Sequence, residues 1–428
     1  MSAAHVDGAR LLSRLDAFAA IGGLANGGVD RPAFSPADQQ ARRLIADLAL
    51  ARGFSVAQDS LANLFIRRGA DMGPPLLIGS HLDSQPTGGR FDGALGTLTA
   101  FEVLEALEDA GAGTDIPVEL VIWSNEEGSR FAPGAMGSQA FAVGVMPSGE
   151  KRGVDGAELL VAIAETRAAL AGAADRPLGF PIAGYLELHI EQGPILERAG
   201  IPIGAVEGIQ GTTWLSVTMT GESSHAGTTP LDARRDAAAA IIAALARLQE
   251  TIMPGDAAAR FTAGRLVSRP DSINVVAQRA SCTLDMRHPQ ADRLAAMEAE
   301  VRAVLSEAAI THGCSLDIER LLDVPPAAFD AEMVGAVEAA AERLRLSSRR
   351  MVSGAFHDAL SIAAIAPSAM IFVPCRGGIS HNEREFVEPD HIVAGAAVLL
   401  GATIEAARRL AQRGPAGAAL NQRKRIGT

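Results

Sequence analysis

Cysteine, aromatic residues and positive charge are all scarce in this chain. Its three cysteines, Cys282, Cys314 and Cys375, are odd in number and far apart with no CxxC pair. That spacing excludes a disulfide framework and a thiolate zinc site, and the three are expected to be buried, reduced thiols. Aromatic residues make up 4% of the sequence, and 38 lysines and arginines against 50 acids leave a formal charge of −12. With no basic patch interleaved with aromatics, binding to nucleic acid or to an anionic membrane is unsupported. No apolar run approaches the roughly 18 residues of a membrane helix. The opening "MSAAHVDGARLLSRLDAFAAIG" reads as an amphipathic helix, not a signal peptide, so a cytoplasmic protein without membrane contact is expected. The glycine-rich loop after Ile78 lacks a GxGxxG fingerprint opening a helix, which sets aside a nucleotide-binding oxidoreductase. Chemistry on a small molecule is the class that remains.

The chain has 428 residues, 48% hydrophobic and 21% charged, enough for two or three domains with a sizeable core. Apolar periodicity predicts a helix over 37–51, short strands over 64–67 and 76–79, a helix over 95–110, and then the strand "PVELVIWS". An apolar strand, a polar glycine-rich turn and a helix in succession mark a parallel α/β sheet, whose ligands bind beyond the carboxyl ends of the strands. From about Thr213 the rhythm changes. "WLSVTMTG" and "VVAQRASCTLDMRH" alternate like half-buried strands, helices follow from "DARRDAAAAIIAALARLQETI" and over 290–312, and "CSLDIERLLDV" closes the set. That order fits a compact ferredoxin-like α+β insert. The α/β pattern resumes with a helix to about Arg345, the strand "SAMIFVP" and a last helix over 389–412. The expected division is therefore a catalytic domain over 1–212 and 326–412, an insert over 213–325, and a loose tail over 413–428 with solvated Arg423, Lys424 and Arg425.

His81 and Asp83 stand two apart at a strand end in "GSHLDSQPTGGRFDG", Asp92 follows in the same loop, and Glu126 and Glu127 end the next long strand. These are nitrogen and oxygen donors of the kind a divalent transition metal takes. Each alone is an ordinary turn or surface residue. His189 in "LHIEQGP" and His381 in "GGISHNERE" end further apolar runs, and four strand ends each offering His, Asp or Glu point to an ion.

Those motifs, with "WSNEEGSRF", "GESSHAGTTP" and "INVVAQRASCTLDMR", resemble the amidase, hydantoinase and carbamoylase branch of the M20 metallopeptidase superfamily. The branch includes N-carbamoyl-L-amino acid hydrolases, β-ureidopropionases and allantoate amidohydrolases. The resemblance implies a di-metal aminopeptidase-like α/β catalytic domain interrupted by a lid that makes a homodimer. It implies that His81 and His189 hold one divalent ion, Glu127 and His381 the other, and that Asp92 bridges them; zinc comes first, with manganese, cobalt and nickel also suited. Glu126 matches the family's general base, and Asp83 a carboxylate that orients His81 by accepting its other ring proton. His225 matches the stabiliser of the oxyanion, contributed by the neighbouring subunit in dimers. Asn274 and Arg287 match residues that hold the substrate carboxylate, and Gln192 and Gln210 line the same pocket. His357 is a substrate contact, a supporting residue or a core histidine.

The implied reaction is metal-dependent hydrolysis of the linear C–N amide of an N-carbamoyl amino acid, a ureido acid, to amino acid, ammonia and carbon dioxide. "QPT" within "DSQPTGG" favours carbamoyl amino acids over allantoate. Phe356, where relatives carry glycine before His357, and the pair Thr212 and Thr213 put the substrate side chain in question. The alternatives are an allantoate amidohydrolase, an M20 dipeptidase or aminoacylase, and a catalytically silent binding protein; retention of every expected ligand and of Glu126 weighs against the last.

Overall fold

The structure is a computed structural model that describes residues 4–69 and 73–413. The expected tail lies outside the described residues except for Arg413, which ends the helix Pro389–Arg413 and pairs with Asp330 at 2.8 Å. The chain folds as two compact units. One comprises the residues up to Glu207 with those from Ala328 onward, and the other is Gly208–Ala327.

The strands in chain order are β1 (Ser55–Gln58), β2 (Leu64–Arg67), β3 (Leu76–His81), β4 (Val118–Trp123), β5 (Ala174–Asp175), β6 (Gly184–Ile190), β7 (Ile203–Ile209), β8 (Gly211–Thr220), β9 (Arg260–Arg269), β10 (Arg279–His288), β11 (Ser315–Val324), β12 (Ala327–Ala328), β13 (Ser348–Ser353) and β14 (Ser368–Val373). In the first unit the sheet runs β7-β14-β6-β3-β4-β2-β1-β5, with β12 and β13 beside β7. Its centre, β14-β6-β3-β4, is parallel throughout. Every residue of these four strands is buried, which is why they read as continuous apolar runs and not as alternation.

The helix Ala94–Asp109 follows β3 and is buried almost all round. Its two internal acids, Glu102 and Glu105, meet Arg10 and Arg14 of the helix Gly8–Ala19, each at 2.7 Å. These pairs let the polar positions of a core helix be covered. A second buried pair stands beneath the β4 end. Arg42 and Asp38 lie 2.9 Å apart, Arg42 also donates to the Ala62 carbonyl at 2.7 Å and to Ser124 Oγ at 3.2 Å, and Asp38 accepts from the Phe34 N–H at 2.8 Å. Asp38→Ala strands a buried guanidinium, so unfolding in urea is expected to weaken by about 3–5 kcal/mol. A loss under about 1 kcal/mol would mean that the guanidinium finds compensating partners.

The second unit is a four-stranded antiparallel sheet in the order β11-β8-β10-β9 with two helices, Ala237–Gly255 and Ala291–Thr311. Chain order is strand, helix, two strands, helix, strand, the ferredoxin-like pattern. β8 and β10 alternate, and their inward Leu215, Val217, Cys282 and Leu284 meet Ile241 and Leu305 of the helices in one core.

The helices Ala237–Gly255 and Pro389–Arg413 are long and apolar enough to cross a membrane by length and composition. Both serve as core helices here, each with one buried face. All three cysteines are free, but Cys314 is half-exposed, contrary to the expectation of burial, because it sits just past the helix Ala291–Thr311 at the start of an outer strand.

Candidate metal centre

The four parallel strands end side by side, and each end carries candidate ligands. His81 closes β3, Asn125 to Glu127 follow β4, His189 lies near the end of β6, and His381 follows β14. Three turn residues beyond these ends, Asn125, Gln192 and His381, adopt left-handed φ of 55°, 55° and 53°. Such a backbone costs on the order of 1 kcal/mol or more per non-glycine residue and gathers where a site demands it.

Asp92 is the centre of the arrangement. Its Oδ1 lies 3.0 Å from His189 Nε2 and 3.8 Å from His81 Nε2, while Oδ2 lies 3.2 Å from His381 Nε2. Glu127 Oε2 is 3.4 Å from the same His381 nitrogen. One carboxylate thus faces two separate sets, His81 with His189 and Glu127 with His381, and each set with Asp92 places its donor atoms within 4.8 Å of one another. His81 Nδ1 and His189 Nδ1 are 2.9 Å from the carbonyls of Asp83 and Ile190, respectively. Donation there leaves each Nε2 facing Asp92 as the atom free to take a metal. Gly93, with φ 63°, follows Asp92, and a Cβ at that position would fall 2.3 Å from the His81 ring. Only glycine lets the loop turn this close to the His81 ring.

Asp83 departs from expectation. Its carboxylate is 3.9 Å from His81 Nδ1, and its backbone carbonyl makes the bond. The carboxylate instead accepts the N–H groups of Glu126 at 3.3 Å and Glu127 at 3.1 Å, so it shapes the β4 turn. Gln85, the first residue of "QPT", donates to Glu127 Oε2 at 2.8 Å and so supports a candidate ligand. Glu126 sits at the rim with Oε2 3.6 Å from His81 Nε2. Gln192 Nε2 donates to Asp92 Oδ2 at 2.9 Å and to Ser380 Oγ at 3.1 Å.

A third group, Glu187, His189 and His357, is also compact. Its donors are engaged elsewhere: Glu187 accepts from Ser80 Oγ and the Ala359 N–H, and His357 Nε2 bonds Ser353 Oγ at 2.9 Å. His357 is buried edge-on against His189, with ring centroids 4.5 Å apart, and backs that candidate ligand.

The electrostatics favour cations. Burial, then the charges of Asp358, Glu127, Asp92 and Asp83, hold the Glu126 carboxyl well above its ordinary range. Burial and Asp92 push Glu127 up to about 8, and burial with Asp38 pushes Asp83 up to about 7. Burial also acts on Asp92, but the hydrogen bonds of His189 and His381 outweigh it and hold that carboxyl well below the ordinary range. A buried crowd of carboxylates with imidazoles splayed around one of them fits divalent ions, which offset this repulsion.

In the second unit, Gln210 precedes β8 and Arg287 lies opposite Thr212 near the same end of the sheet. The Arg287 guanidinium is held by Asp285, with Nη2 2.8 Å from Oδ2. His225 and Asn274 adjoin one another at the opposite end, where the Ala226 N–H donates to the Asn274 carbonyl at 2.9 Å and His225 bridges Val275. β8 spans the ten residues between, roughly 30 Å at about 3.3 Å per residue. Asn274 and Arg287 therefore stand at opposite ends of the sheet within one chain. His225 Nδ1 accepts from Gly227 N at 3.1 Å and Thr228 N at 3.2 Å, so its proton sits on Nε2 and the exposed edge is a donor.

Residues 77–405 match the model of peptidase family M20/M25/M40. The chain belongs to that family. An N-carbamoyl-L-amino-acid amidohydrolase of Rhizobium meliloti is 37% identical over 414 residues, 94% of this chain and 97% of that protein. The Geobacillus stearothermophilus N-carbamoyl-L-amino acid amidohydrolase is 34% identical, with coverages of 92% and 97%. A hydantoinase/carbamoylase family amidase from Burkholderia multivorans has a crystal structure similar to this one, with a TM-score of 0.88 at 41% identity, covering 94% of this chain and 98% of that one. This M20 chain is accordingly a hydrolase with the family's mixed α/β fold, and the His, Asp and Glu cluster is where a metal would sit.

Proposed function

We propose that this M20 hydrolase is an N-carbamoyl-L-amino acid amidohydrolase that uses two divalent ions, zinc first among them. The observation that carries the reading is the split Asp92 carboxylate, with one oxygen toward His81 and His189 and the other toward His381 and Glu127. Bound there, the ions would lower the pKa of a water between them and polarise the carbamoyl oxygen. Glu126, at the rim beside His81, takes the water's proton as the water attacks the carbamoyl carbon and returns it to the nitrogen that leaves. In the metal-free site burial and the neighbouring acids hold this carboxyl above its ordinary range, and bound cations would draw it down toward the charged form a base requires. Gln192 has a buried Oε1 with no hydrogen-bond partner among the described residues, an acceptor suited to a carbamoyl N–H.

The second unit acts in this reading as lid and dimerisation domain. Arg287, steadied by Asp285, grips the substrate carboxylate with Gln210 alongside. The His225 and Asn274 end is about 30 Å away along β8. A homodimer reconciles the two: the partner subunit's His225 donates Nε2–H to the oxyanion, and the partner subunit's Asn274 arrives with it. The enzyme then works as a soluble cytoplasmic homodimer.

A panel of N-carbamoyl α- and β-amino acids, allantoate, N-acyl amino acids and dipeptides tests the assignment in metal-restored enzyme. Ammonia together with free amino acid is expected from the N-carbamoyl L-amino acids. Dipeptide turnover without ammonia from any ureido compound would replace this assignment with a peptidase.

A further inference from the structure

Glu385 lies outside every set of candidate ligands, yet it is buried to 3% exposure beside them. Its Oε1 accepts the backbone N–H of Phe91 at 2.9 Å and of Asp92 at 3.1 Å. Its Oε2 lies 3.2 Å from Ser380 Oγ, and that hydroxyl is 2.9 Å from Asp92 Oδ2, so one proton is shared between the two carboxylates. The side chain therefore joins the loop that carries Asp92 to the loop that carries His381, across 293 residues of sequence.

Two further observations show that the contact is built. Gly89 lies directly against the carboxylate, and a Cβ there would fall 2.0 Å from Glu385 Oε1. The Ser380–Glu385 segment also contains His381 in its left-handed conformation, which needs outside support to persist. The N–H groups that Glu385 accepts lie just before the helix Ala94–Asp109, where the helix dipole favours an anion.

We infer that Glu385 is a positioning residue that clamps the Asp92 loop to the His381 loop and thereby sets the separation of the two halves of the metal centre. The inference rests on the di-metal reading above. It places no ligand role on Glu385, whose oxygens are occupied by Phe91, Asp92 and Ser380. Glutamine can keep an acceptor for both N–H groups and donate to Ser380, whereas alanine leaves both backbone donors without their partner.

The test measures Zn(II) stoichiometry and affinity of the full-length protein by competition with a chromophoric chelator, together with thermal midpoint, kcat and KM. Glu385→Ala is expected to weaken Zn(II) binding by about 10- to 100-fold, as loss of a partner behind a ligand does. kcat should fall with it and KM change little, and Glu385→Gln should restore affinity to within a few-fold. Gly89→Ala displaces the carboxylate without removing it and should weaken Zn(II) binding in the same direction. A lowered thermal midpoint with wild-type Zn(II) affinity in Glu385→Ala or, should that variant not fold, in Gly89→Ala overturns the inference. If neither folds, Glu385→Asp, which is one methylene too short to span the Phe91 and Asp92 N–H groups and Ser380 together, takes their place, and wild-type Zn(II) affinity in it overturns the inference. Wild-type protein that binds no metal would instead refute the di-metal reading itself.

Discussion

Glu126→Gln is expected to lower kcat by about 100- to 10,000-fold, the span that a positioned general base contributes. Metal content should not change, because Glu126 lies at the rim and neither half of the Asp92-centred cluster includes it. Glutamine keeps the size of the side chain and its acceptor oxygen but cannot accept the proton of the attacking water. KM should move little, since the carboxylate acts in the transition state and not in substrate binding. Two measurements settle the matter: metal stoichiometry of the purified variant and single-substrate kinetics on an N-carbamoyl L-amino acid. Turnover within about tenfold of wild type would remove Glu126 as the base.

Removal of metal by a chelator should abolish turnover and lower the thermal midpoint, with both restored by added Zn(II). Binding to the folded state alone contributes about 4 kcal/mol at a thousandfold excess over the dissociation constant. The uncompensated carboxylates left behind, Glu126, Glu127 and Asp83 among them, add to the loss. The pH dependence has a definite sign. Burial opposes the charged form of His189, but its hydrogen bond to Asp92 and that carboxylate's charge win, and its metal-free pKa stands at about 9. Metal must displace that proton and the one on His381, which Asp92 also holds up to about 9, so apparent affinity should climb at least about tenfold per pH unit below that value. His81 releases none, because burial holds its metal-free pKa at about 4. A pH-independent affinity between about pH 6 and 8 would show that neither His189 nor His381 gives up a proton to metal.

Much of the catalytic unit is legible in local sequence. β2, at Leu64–Arg67, and the helix Ala94–Asp109 fall on or within one residue of the expected ranges, because β2 is a short, mostly apolar run and the helix repeats apolar residues at helical spacing between glycine and polar turns. β13 is not legible. Its "SRRMVS" has three exposed residues followed by three that are mostly covered, with neither the alternation nor the continuous apolar run that marks a strand. β1, at Ser55–Gln58, is similarly short and polar at both ends. These strands exist because neighbours in the sheet satisfy their backbone groups, and that information is not local.

The candidate site divides along the same line. His81, Asp92, Glu127, His189 and His381 are identifiable by residue type at strand ends, since a parallel sheet gathers the ends of its strands whatever lies between them. Gln85, Ser380 and Glu385 carried no such signal, although they lie in the same quoted motifs. A glutamine or serine in a turn carries no donor signal until the structure shows it bonded to a candidate ligand at 2.8 or 2.9 Å.

Composition, motif order and strand-end chemistry settle the family and the kind of donors without any coordinates, because residue type and spacing suffice for both. Which atom of Asp83 meets His81, which way the Asp92 carboxylate is shared, and the separation of Asn274 from Arg287 belong to the tertiary structure. The resemblance gives the Asp83 carboxylate to the His81 ring, yet the turn presents its carbonyl and sends the carboxylate to two N–H groups of the next strand end. Asn274 and Arg287 are close in sequence but not in space, because Asn274 precedes β10 and Arg287 lies near the far end of that extended strand. Short separations along the chain say little about distance once a strand carries the chain straight away.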